Sequence, residues 1–151
     1  YNDLLKSYNV GILTALIKKS FLKGKKIFDD KYNIIGDFDL FIRLSKKYKF
    51  KVIQAPVATY RIHKKNLSIL QKELEIKEFD SWYKKNSKNL SLENKKIMKN
   101  KINQLRFVSH KFNDGFLTTL IFFITNKILN IKNLIILFTP KFILKKLMWF
   151  Y

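Results

Sequence analysis

Residues 27–68 read IFDDKYNIIGDFDLFIRLSKKYKFKVIQAPVATYRIHKKNLS, and the fold hangs on how this stretch is divided. Its first half predicts a helix over 36–47. Phe38, Phe41 and Ile42 fall on one face of that helix, and Leu40 and Leu44 share another, so most of it should be buried. Asp39 and Arg43 stand four residues apart with the acid first, the favourable order for a helical ion pair. The second half predicts two strands on either side of Pro56, over 51–55 and 57–63. Alternation in the latter puts Val57, Thr59, Arg61 and His63 on one side, so Arg61 and His63 are expected to point the same way.

Upstream, residues 1–8 have the mixed polarity of a short helix that stops before Asn9-Val10-Gly11. The apolar run 12–17 fits a buried strand, with helix as the alternative. A basic connection with Gly24 at its centre follows. Downstream, the pattern turns helical over 68–84 and 91–112. In the latter, Met98, Ile102, Leu105, Val108 and Phe112 form a stripe at spacings of three and four. His110 falls off that stripe and is expected in solvent. Gly115 marks a break, and two further apolar helices are expected, separated near Thr139-Pro140. The predicted class is therefore α/β over residues 1–68, then a helical extension over 69–115 and an apolar, basic tail over 116–151.

The 151 residues are 47% hydrophobic and 15% aromatic, enough for a core and too much for wholesale disorder. The lack of Cys excludes a disulfide framework, a thiolate metal site and a Cys nucleophile. The formal net charge of +20 suits either nucleic acid or an anionic membrane surface as partner, or reflects composition alone. Arg43, Arg61 and Arg106 are the sole guanidinium groups and Lys supplies the rest. Lys is a solvated point charge, whereas Arg gives the bidentate contacts of base and phosphate recognition. With no recognition-helix pattern, RNA-binding aromatic motif or zinc motif beside it, the charge favours surface attraction over nucleic-acid readout.

Several elements of the 27–68 stretch, in order, resemble the acceptor-side signature of GT-A, family 2-type glycosyltransferases. They are Phe28-Asp29-Asp30, Gly36-Asp37, Asp39, Arg43, and Tyr60-Arg61-Ile62-His63 with Asn66 and Ser68, together spanning about a third of the chain. The family's acidic pair is usually Glu-Asp; here Gly36 stands in the first place and Asp37 keeps the second. The resemblance implies the C-terminal part of a GT-A catalytic domain, lacking its donor-binding half. It implies an inverting transfer of sugar from a nucleotide-sugar donor to a glycan or lipid-linked acceptor. Asp37 would be the base that takes the acceptor hydroxyl's proton. Its plainer role is to cap the helix, accepting backbone N–H bonds, and a carboxylate with two oxygens can do both. His63 would help hold a divalent metal, Mn²⁺ or Mg²⁺, on the donor diphosphate; the alternative is a hydrogen-bonded strand-end histidine. Arg61 would neutralise the leaving diphosphate, or else pair with a carboxylate. Asp29 and Asp30 match the family's turn before the acidic pair, and the metal-binding Asp-x-Asp motif is expected in the donor-binding half.

The tail contains no Asp or Glu and carries Lys127, Lys132, Lys141, Lys145 and Lys146. Two readings stand: a segment lying on an anionic membrane near lipid-linked acceptors, or apolar faces packed on protein. The first would place the protein in the cytoplasm, peripheral to the inner face of the plasma membrane. The alternatives to an enzyme are a basic nucleic-acid-binding module and a membrane-associated scaffold.

Overall fold

The structure, a computed structural model, describes residues 1–22, 27–61, 70–128 and 130–147. Among these the regular elements are α-helices and short 3-10 turns, with no strand. The helices are α1 (Asn2–Lys6), α2 (Gly36–Ser45), α3 (Lys72–Asn86), α4 (Leu92–Asn113), α5 (Phe116–Thr125), α6 (Ile131–Phe138) and α7 (Lys141–Leu147).

The α/β class is therefore wrong for this chain. The run 12–17 begins as a 3-10 turn, Ile12–Thr14, and continues without regular structure. Residues 51–61 have no regular structure and are exposed throughout, Val52 and Ile53 each at 73%. The reason is physical. A helix satisfies its backbone N–H and C=O groups within itself, but a strand must find another strand beside it. The alternation at 51–61 marks a surface able to pair, and no described segment lies in register to pair with it.

The chain divides into two compact units, Tyr1–Ile97 and Met98–Tyr151, and the division falls inside α4. In the first unit α2 is buried almost all round, as its apolar residues on several faces require. Leu40, Phe41 and Leu44 gather Tyr8, Val10, Ala15, Ile17, Leu22 and Tyr48 about them. Phe38, 1% exposed, meets the rings of Tyr8, Phe79 and Trp82 edge-on at centroid separations of 5.4, 5.1 and 5.1 Å. Full burial of a side chain this size contributes about 2–3 kcal/mol, and edge-to-face aromatic pairs add to it. Helix α3 carries Glu73 and Glu75 in its first turn and Lys84 and Lys85 in its last, which complements the helix dipole at both ends.

In the second unit, Phe107, Phe123 and Leu137 form the core, with Val108, Leu120, Phe122, Ile128 and Ile136 around it. The predicted stripe on α4 is buried at Met98 and Ile102, but below them Phe107 rather than Leu105 goes inside. The apolar run before Thr139-Pro140 is two helices, α5 and α6, where one was expected. Helix α5 ends on Lys127 at φ 50°, with Lys127 N–H donating to Ile124 C=O and Ile128 N–H to Phe123 C=O. This pair of bonds about a left-handed residue terminates a helix by satisfying its last carbonyls, and the position is usually Gly. Asn130 then restarts the chain by accepting the Asn133 N–H at 2.8 Å as the N-cap of α6.

Candidate functional site

Asp37 lies in the first turn of α2, preceded by Gly36 and by Ile35 at the N-cap, whose side chain makes no capping bond. Its Oδ1 accepts the N–H of the next residue, Phe38, at 2.7 Å, so one oxygen of the carboxylate is engaged in the first turn although Asp37 is not the N-cap. The side chain is half-buried and reaches the surface. Beside it stands Tyr8, whose buried hydroxyl lies close enough to the Asp37 carboxylate to interact with it. Burial, and then the nearby negative charge of Asp37, push the phenol well above the usual tyrosine range.

Two residues further along, Asp39 has a different fate. It is 4% exposed, with Oδ1 accepting the indole N–H of Trp82 at 3.0 Å and Oδ2 accepting Nε of Arg43 at 2.8 Å. Arg43 continues outward and donates from Nη2 to the Ile27 carbonyl at 2.6 Å. The helical ion pair foreseen from spacing is present, and it ties α2 to the segment before it. Charge-assisted bonds of this kind are about twice as strong as neutral ones.

The turn leading into α2 is held by a residue the sequence did not single out. Glu78 of α3, 4% exposed, accepts the N–H groups of Asn33, Ile34 and Ile35 at 2.7, 2.8 and 3.0 Å. A buried carboxylate needs such partners, because an unpaired one would cost several kcal/mol on the order of its desolvation. Asp29 completes the frame on the outer side, accepting the Lys31 N–H and pairing with Lys85 Nζ at 2.8 Å. That bond to Asp29 raises the Lys85 pKa. The sequence signal for this arrangement was Glu78 and Trp82 placed one turn apart on the face of α3 that also carries Phe79.

Of the other predicted site residues, Arg61 is exposed at the end of the 51–61 segment. His63 lies outside the described residues. Their common orientation was inferred from a strand, and residues 57–61, the described part of that segment, form none. Among the described residues no three His, Cys, Asp or Glu side chains form a group that could hold a metal ion. His110, expected in solvent, is instead half-buried, with Nδ1 against Asp114 and its ring 4.5 Å from that of Phe122.

Comparison of the chain with protein-family models, with curated proteins and with solved structures finds no match in any of the three.

Proposed function

We propose that this chain is the acceptor-side portion of an inverting glycosyltransferase of the family 2 type, with Asp37 as the general base. The observation that supports this reading is the division of labour between two neighbouring carboxylates. Asp39 is sealed in and fully engaged by Trp82 and Arg43, while Asp37 is held at the start of the same helix with its side chain reaching the surface. Inverting transfer needs one carboxylate near the acceptor hydroxyl to receive its proton as the oxygen attacks the sugar carbon. With Oδ1 on the Phe38 amide, the carboxylate is oriented and its other oxygen can face a substrate. The fold is helical, so the reading rests on the motif around Asp37 and not on an α/β framework.

The nucleotide-sugar donor and any divalent metal would be bound by residues other than those described, and residues 1–151 alone would transfer no sugar. The test is Asp37→Asn in the complete enzyme, read as release of nucleoside diphosphate in the presence of acceptor. Turnover should fall about 10²–10⁴-fold while donor affinity changes little. Turnover close to that of the parent enzyme would remove Asp37 from the chemistry and leave it as a helix cap.

A further inference from the structure

On α6 the residues Ile131, Leu134, Ile135 and Phe138 recur at i, i+3, i+4 and i+7, and all four are exposed, from 46% to 78%. The opposite face of the same helix buries Asn133 and Leu137. Asn133 is fully buried and exchanges two amide hydrogen bonds with Gln104, at 2.5 and 2.8 Å, so this orientation of α6 is fixed by a satisfied polar contact. A helix with its most apolar face turned outward is the reverse of the usual arrangement. Helix α5 adds Phe116, Leu117, Ile121 and Ile124, each more than half exposed. The Phe116 and Phe138 rings lie 6.0 Å apart and join the two helices into one surface. Scattered exposed apolar residues are ordinary, but a continuous patch marks a binding face.

Charge identifies the occupant. Residues 116–151 contain no acid and five lysines, and Lys127 and Lys132 are exposed in the α5–α6 connection and on α6. A second copy of the chain would set cation against cation, whereas anionic headgroups complement both the lysines and the apolar face. No described helix is long and apolar enough to cross a bilayer. At a rise of about 1.5 Å per residue, α5 and α6 span about 15 and 12 Å against a hydrocarbon core of about 30 Å. We infer that α5 and α6 lie in the plane of an anionic lipid surface, with Ile131, Leu134, Ile135 and Phe138 inserted at the boundary between headgroups and chains. This holds whether or not Asp37 is a catalytic base.

The test is flotation of the whole chain with vesicles of phosphatidylcholine alone and of phosphatidylcholine mixed with phosphatidylserine. Binding should require phosphatidylserine and decline with salt. The double substitution Ile135→Asp, Phe138→Asp should abolish it, and Lys127→Ser with Lys132→Ser should weaken it more than about tenfold, at roughly fivefold per lysine. All four positions are exposed, and far-UV circular dichroism will show that the variants stay helical. Leu92→Asp, an exposed apolar position in the first unit, should leave binding unchanged. The inference is overturned by absence of binding to both vesicles or by undiminished binding of the aspartate variant. Self-association without lipid that the aspartate substitutions disperse would likewise overturn it, since the face would then be a protein interface.

Discussion

The indole N–H of Trp82 and the carboxylate of Asp39 meet at 3.0 Å in the interior, joining two helices whose partners are 43 residues apart in the chain. One turn earlier on α3, Glu78 takes three consecutive backbone amides of the turn before α2. Together the two side chains fix where α2 starts, and so where Asp37 stands.

Substituting Asp39→Ala and Trp82→Phe should therefore give non-additive losses of stability. A double-mutant cycle by urea denaturation is expected to return a coupling of about 1.5–3 kcal/mol, the range for a hydrogen bond to a charged acceptor. Simple additivity would show that the bond contributes nothing beyond packing.

Glu78→Gln keeps the size of the side chain but replaces one accepting oxygen with a donor and removes the charge. With three amides dependent on it, the chain should lose about 2–3 kcal/mol of stability. The amide protons of Asn33, Ile34 and Ile35 should exchange faster with solvent in the same variant. Unaltered exchange at those three would argue that another group holds the turn.

Tyr8 gives a pH signature. Its pKa in the folded state lies above the ordinary 10.0 because of burial and then Asp37. The folded chain thus retains a phenol proton that the unfolded chain releases, and stability present below pH 10.0 is lost as pH rises beyond it. Tyr8→Phe should flatten that alkaline decline. At neutral pH it should cost about 1 kcal/mol, for the lost interaction of the hydroxyl with Asp37. A decline identical to that of the parent would assign it to Tyr1 and Tyr32, whose pKa values burial also raises.

Lys127 occupies the left-handed position that ends α5. A side chain there is strained by about 1 kcal/mol relative to Gly. Lys127→Gly should raise the denaturation midpoint accordingly, measured on the whole chain without lipid. A lower midpoint would mean that the lysine side chain stabilises the turn by more than the strain it carries.

What the sequence determined by itself is local. The helix expected at 36–47 and found at Gly36–Ser45, the long helix after Ser91, the Asp39–Arg43 pair and the break at Gly115 all follow from contacts within a few residues. Spacing along one helix suffices for these, because the interacting groups are one turn apart whatever surrounds them. The break between α5 and α6 was also written locally, in Asn126, Lys127 and Asn130, but apolar content masked it. Tertiary structure decided the rest. Glu78 reaches amides more than forty residues away, α6 turns its apolar face outward because Asn133 is committed to Gln104, and the alternating run at 51–61 forms no strand. Each of these depends on which distant groups become neighbours, and a pattern of side chains specifies what a segment could bind without specifying that the binding partner is there.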